Sequence, residues 1–113
     1  MRLDSDHTRL RHMLEAAHEA AGYVEGLSRA EFDLQRPLQH SVVRCIEIIG
    51  EAASRLSPQL RKAAPEIPWP DIIGMRNRLI HAYFDLDLDL IWQTATQEIP
   101  ALIPRIKALL ESR

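Results

Sequence analysis

Apolar residues recur every three or four positions through most of this chain, and that spacing marks one buried face of an α-helix. Leu10, Met13, Leu14, Ala17, Ala21 and Val24 form a first such stripe. Val42, Cys45, Ile46, Ile49, Ala52, Ala53 and Leu56 form a second. A third helix is expected from Trp69 to about Phe84, and a fourth pattern runs from Leu88 through Ile91, Ala95, Ile99, Leu102, Ile106 and Leu109. Each stripe must bury itself against another, and each is too short to fold alone. The expectation is therefore a single all-α domain over residues 1–113, an antiparallel bundle of four to five helices.

Punctuation residues divide the stripes. Asp4, Ser5 and Asp6 offer N-caps for the first helix, and Gly26 a C-terminal stop. Ser28 and Glu31 have the spacing of a capping box, opening a short helical turn that Pro37 limits. Gly50 costs the second helix about 1 kcal/mol of propensity and would permit close approach of a neighbour. Pro58, Pro65, Pro68 and Pro70 make 57–68 a connector with one turn at Gln59–Ala63. Asp85 to Leu90 alternates like a strand, but aspartate forms strands poorly. These carboxylates are better placed as an N-cap and first-turn charges. Pro100 and Pro104 each remove a backbone donor, so the last helix should kink or restart near 96–100.

Composition narrows the function classes. A net charge of −2 does not suit a non-specific nucleic-acid binder. No apolar run reaches the length of a membrane span, and Met1 to His7 offers no secretory signal, so the expected compartment is the cytoplasm. The one cysteine, Cys45, lies among Val42, Val43, Ile46 and Ile49 and reads as a small buried hydrophobe. Charge is nevertheless segregated. Residues 1–35 hold four arginines against seven acids, whereas residues 36–62 hold five bases against Glu47 and Glu51. The basic run is either a solvated helix face or, together with residues 76–83, an anion-facing groove.

Residues 76–83 concentrate the chemistry. Arg76 supplies a permanent charge suited to phosphate, and His81 a side chain able to move a proton near neutral pH. Asn77 and Tyr83 stand beside them. On a continuous helix Arg76 and Tyr83 share a line, as do Asn77 and His81, but Arg76 and His81 diverge by roughly 140°. Convergence on one phosphate then requires either that the helix ends between them or that a second subunit completes the site. The structural alternatives are an Arg76 that merely pairs with Glu47 or Glu51, a histidine satisfied within the bundle, and a half-buried tyrosine. His7, His12, His18 and His40 lack the spacing of a zinc site, and no glycine-rich phosphate loop occurs, so neither metal nor cofactor is expected.

The segment from Trp69 to Tyr83, followed by Asp85 through Trp92, resembles the HepT-like family, a branch of the HEPN superfamily of helical ribonucleases. The family signature R-x4–6-H-x-Y falls on Arg76, His81 and Tyr83, with Asn77 following the arginine. Arg44 to Ala52, including Ile49-Gly50-Glu51-Ala52, is also family-like. The resemblance implies a homodimeric, metal-independent endoribonuclease acting on RNA as the toxin of a toxin–antitoxin pair. It implies Arg76 and His81 as catalytic residues, supported by Asn77. It further implies an MntA-type nucleotidyltransferase as antitoxin, adenylylating Tyr83. The alternative is a non-catalytic helical module that docks such a nucleotidyltransferase.

Overall fold

The computed structural model describes residues 2–82 and 85–112, with side chains over 5–80 and 85–112. Its helices are α1 (Arg2–Val24), α2 (Arg29–Asp33), α3 (Arg36–Ser54), α4 (Pro58–Ala63), α5 (Trp69–Leu79), α6 (Leu88–Gln93) and α7 (Ile99–Glu111). A π-helical turn, Thr94–Glu98, joins α6 to α7. Between α5 and α6 the short strands β1 (Ile80–Ala82) and β2 (Asp85–Leu86) pair antiparallel. The chain is thus an all-α bundle in which α3 packs against α1 and α5, and α1 also packs against α7. The four long stripes of the sequence supply its core.

Most stripe residues are buried, while Leu14, Ala21, Leu88 and Leu109 are half-buried. Leu10, Met13, Ala17, Val42, Ile46, Ala53, Ile91, Ala95 and Ile106 lie in one continuous apolar cluster. Gly26 ends α1 with a φ of 77°, which an L side chain adopts only at a cost. Ser28 and Glu31 make the reciprocal capping box at the start of α2. Pro37 lies in the first turn of α3, where its missing N–H is harmless, so it opens that helix rather than limiting α2. The connector contains one short helix, as its prolines require, with Ser57 as N-cap.

Asp4, Ser5 and Asp6 do not begin α1, which already runs from Arg2. Asp6 has a tertiary task instead. It is 2 % exposed, and its carboxylate accepts from the Ser57 backbone N–H at 2.9 Å and the Ser57 hydroxyl at 2.6 Å. Ser57 in turn accepts from the Leu60 N–H. One carboxylate therefore ties the start of α1 to the turn beyond α3, which makes α1 and α3 antiparallel.

The kink expected near Pro100 is the π-helical turn. Pro100 cannot donate to Thr96, and its ring would crowd that carbonyl. The chain widens instead, and the Ile99 N–H reaches back five residues to the Thr94 carbonyl. Pro104 is accommodated within α7.

Candidate functional site

The third long helix is shorter than its apolar pattern suggests. It ends at Leu79, and Ile80 is already extended, with φ −121° and ψ 110°. Two features stop it. Ile80 pairs with Leu86 across the small sheet, and the Asp87 N–H donates to the Leu79 carbonyl at 2.7 Å. A carbonyl at the helix end thus finds its donor in the returning chain. Asp87 also caps α6, accepting from the Leu90 N–H at 3.1 Å as its sequence position suggests. The alternation at 85–90 is partly strand-like after all, since Asp85 and Leu86 are paired. Just beyond, the rings of Phe32 and Trp92 meet at a tilt of 47° with centroids 5.2 Å apart, and Arg29 bridges Asp33 and Asp89. These contacts fix the exit of the hairpin against α2.

The early end of α5 revises the geometry of the signature residues. Arg76 lies on the last turn of α5, whereas His81 lies in β1, beyond the helix end. The 140° divergence assumed a continuous helix and does not apply. The shared helical face of Asn77 and His81 fails for the same reason. Tyr83 lies outside the described residues, and its helical alignment with Arg76 loses its premise once α5 stops at Leu79. Asn77 is exposed on the last turn of α5.

Arg76 is positioned from α3. Its Nε donates to the Glu47 carboxylate, and Glu47 also lies 3.7 Å from an Nη of Arg44. Pairing through Nε leaves the outer guanidinium nitrogens of Arg76 available, and the side chain is 53 % exposed. The pair rests on a close helix crossing. A methyl group added at Gly50 would come within 3.1 Å of the Ile72 carbonyl oxygen and 3.3 Å of that of Ile73. Gly50 therefore lets the α5 backbone approach α3, which brings Arg76 to Glu47. A shallow cavity of about 140 Å³ opens beside them, bordered by Glu47, Gly50, Glu51, Ser54 and Arg76.

The pairing of Arg76 with Glu47, offered by the sequence as the structural alternative, is present, and Glu47 sits one turn before Gly50 on the rim of the α3–α5 crossing. Cys45 behaves as expected: it is buried, and burial pushes its thiol up to about 11. A larger apolar cavity of about 220 Å³ lies between α3, α5 and α7, floored by Ile46, Ile49, Ile72 and Leu102. It carries none of the signature residues. Among the described residues no group of three or more His, Cys, Asp or Glu could hold a metal ion. No helix among them is long and apolar enough to cross a membrane.

The fold and site define a small helical-bundle protein that presents an anchored arginine one helical turn from a hairpin carrying a histidine. The chain belongs to the ribonuclease HepT-like family, whose model matches residues 13–109. A chain from Caldanaerobacter subterraneus subsp. tengcongensis that carries a provisional RNase name is 37% identical over 102 residues, covering 90% of this chain and 91% of the relative. A Thermococcus cleftensis protein provisionally named ribonuclease HepT is 36% identical over 100 residues, covering 85% of this chain and 91% of the relative. A Methanocaldococcus jannaschii chain, also provisionally named an RNase, is 32% identical over 99 residues, covering 88% and 82%. No solved structure matches significantly.

Proposed function

We propose that this chain is a metal-independent endoribonuclease, the toxin of a toxin–antitoxin pair. The observation that carries the reading is the placement of Arg76 and His81 on either side of the helix end, within a family of ribonucleases. A chain reversal after Leu79 frees the two residues from the divergence that one straight helix would impose.

RNA cleavage without metal uses the 2′-hydroxyl as nucleophile. A base removes its proton, the 2′-oxygen bonds to phosphorus, and the bond from phosphorus to the 5′-oxygen breaks. The departing oxygen takes a proton from an acid, leaving a 2′,3′-cyclic phosphate and a 5′-hydroxyl. His81 is assigned the proton transfers. Arg76, with Nε held by Glu47, is assigned the crowded phosphorane oxygens. Asn77 supports one of these groups from the same helical turn. A single imidazole cannot be base and acid in one concerted step. We therefore assign the active form to a homodimer, in which two copies of His81 share the roles. Acid–base chemistry, and not helix geometry, is the reason for the second subunit, since α5 ends between Arg76 and His81.

Tyr83 is assigned as the acceptor of an adenylyl group from an MntA-type nucleotidyltransferase. An adenylyl phosphodiester carries the same negative charge as the RNA backbone, and its addition seven residues after Arg76 in the signature is read as competing with RNA for that arginine. Tyr83→Phe should keep cleavage and lose modification.

The test is incubation of purified protein with total RNA in EDTA, after mass spectrometry has shown that Tyr83 carries no AMP. Cleavage that both Arg76→Ala and His81→Ala reduce by about 10²-fold or more, with the fold retained by circular dichroism, supports the nuclease. Intact RNA across all classes with unmodified wild type would favour a module that only docks the nucleotidyltransferase.

A further inference from the structure

Along its N-terminal half α5 faces α4 across a shallow trough of about 580 Å³. Trp69, Pro70, Ile73 and Gly74 supply the α5 side, and Arg61 and Lys62 the α4 side. The floor is apolar, and the two bases bring the charge. No contact inside the chain requires a glycine at 74. A glycine within a helix lowers its propensity, and at Gly50 the close α3–α5 crossing accounts for that. A methyl group added at Gly74 would meet nothing within 4 Å. The absent side chain leaves the trough open down to the α5 backbone, between the Pro70 ring and the flank of Ile73. Such ground can take the face of a planar group.

The trough leads to Arg76. Ile73 borders it and also borders the cavity beside Glu47 and Arg76. On α5, Trp69, Ile73, Arg76 and Asn77 fall within an arc of roughly 100°. Asp71 and Arg78 lie further round the helix, on the cavity that α5 shares with α7. A strand laid along this side of α5 would pass from the α4 bases, over Ile73, to the guanidinium of Arg76.

Charges on the surrounding elements leave the trough positive. Of the five bases in residues 36–62, Arg44 and Arg55 face Glu47 and Glu51, and Arg36 is engaged as well. Arg61 and Lys62 have no ion pair among the described residues. From Pro58 to Pro70 the one acid is Glu66, whose backbone carbonyl is held by Arg105 of α7. Asp71 borders the α7 cavity, and Asp6 is buried against Ser57. Asp85 and Asp87 belong to the hairpin beyond the far end of α5, and both have partners of their own. Two cations over an apolar floor fit a nucleotide, which offers an anionic phosphate and a flat base in one unit.

We infer that this trough is a nucleotide subsite of the RNA site. Arg61 and Lys62 hold backbone phosphates, while Pro70, Ile73 and Gly74 support the face of a base. The subsite rests on the nuclease reading for the neighbouring phosphate at Arg76, but its binding claim can be tested without cleavage. The probe is a 2′-O-methyl oligonucleotide of about twelve nucleotides, which lacks the attacking hydroxyl and fits the usual length of single-strand sites. Its affinity is measured by fluorescence anisotropy over a salt series. Arg61→Ala/Lys62→Ala should bind about tenfold more weakly at low salt, with a log–log salt slope shallower by about 1.4, two single-strand phosphate contacts. Gly74→Leu should bind at least about fivefold more weakly with its slope unchanged, because it fills the place of the base. Its urea midpoint should not fall, since leucine is the better helix former and the added Cβ meets nothing. Arg11→Ala/Lys107→Ala removes the same charge from exposed positions on α1 and α7 and should leave affinity and slope near wild type. Equal losses in the two double variants would overturn the subsite, as would full affinity in Gly74→Leu or a wild type that does not bind the probe. Full affinity in Arg61→Ala/Lys62→Ala, with a smaller species in sedimentation, would also overturn it and assign the trough to a contact between copies. Losses as expected, with natural RNA left uncut by unmodified wild type, would overturn the nuclease while the subsite stands.

Discussion

Glu47 on α3 holds the Nε of Arg76 on α5, so the arginine expected to meet phosphate is oriented by a carboxylate from a different helix. The carboxylate looks counterproductive beside an anionic substrate. Its attachment at Nε resolves the conflict, because the outer guanidinium nitrogens remain able to brace two oxygens. Arg44 offsets part of the same negative charge from one turn away, at 3.7 Å.

Glu47→Ala should therefore lower RNA cleavage by about tenfold, whereas Arg76→Ala should lower it by about 10²-fold or more. Stability should change by less than about 1 kcal/mol in both, since Arg76 is more than half exposed and water screens the pair. Urea melts alongside cleavage assays check this. A large loss of stability with Glu47→Ala would recast the pair as a strut between the helices.

The Asp6–Ser57 link has the opposite character, because it is buried. Asp6→Ala strands the Ser57 N–H and hydroxyl without their acceptor, and should destabilise the protein by about 2–3 kcal/mol. Ser57→Ala removes the hydroxyl and the cap of α4 together and should cost about 1–2 kcal/mol. Chemical denaturation of the two variants tests the order.

The apolar stripes, the Ser28 capping box, the stop at Gly26 and the break before Pro100 were legible because each is written in residues a few positions apart. The end of α5 was not. Nothing between Arg76 and Phe84 is a glycine or proline, and the helical apolar spacing continues through Ile80. The stop comes from pairing with Leu86 and from the Asp87 N–H reaching the Leu79 carbonyl, partners that exist only after the chain has turned back. The task of Asp6 was hidden for a related reason: its partner lies 51 residues away, so its local pattern suggested a cap for its own helix. For the candidate site, the signature supplied the residues to propose, whereas the anchoring of Arg76 depends on the packing of α5 against α3.

Cys45 gives a pH prediction. Burial, reinforced by Glu19 and opposed by Arg44, raises its thiol from 9.0 to about 11. The raised value means that both folded and unfolded chains hold the proton below pH 9, and the stability linked to it is fully present there. As pH rises from 9 toward 11 the unfolded chain ionises first, so stability falls by about 2–3 kcal/mol across that window. Cys45→Ala should lose stability at pH 7 but show a flatter decline above pH 9. At pH 8 iodoacetamide should label the thiol only after unfolding, as intact-mass measurement would reveal.

Gly50 decides whether the Arg76 site can assemble at all. Alanine there gains about 1 kcal/mol of helix propensity, so in an isolated α3 it would be favourable. In the protein the new methyl group meets the Ile72 and Ile73 carbonyl oxygens at 3.1 and 3.3 Å, and both belong to the backbone of α5. Neither can rotate away as a side-chain tip could. Relief requires α5 to shift outward by a few tenths of an ångström, loosening the buried contacts of Ile72 and Met75 and drawing Arg76 from Glu47. Overpacking of this kind costs about 1–3 kcal/mol, so against the propensity gain Gly50→Ala should be destabilised by up to about 2 kcal/mol net. Cleavage should fall as well, by more than the modest stability loss would produce through unfolding at 25 °C. Gly22→Ala is the control: its added methyl group meets nothing within 4 Å, so only the propensity gain remains and the protein should become slightly more stable. If Gly50→Ala behaves like Gly22→Ala in urea melts and in cleavage, close approach of α5 is not what holds Arg76 in place.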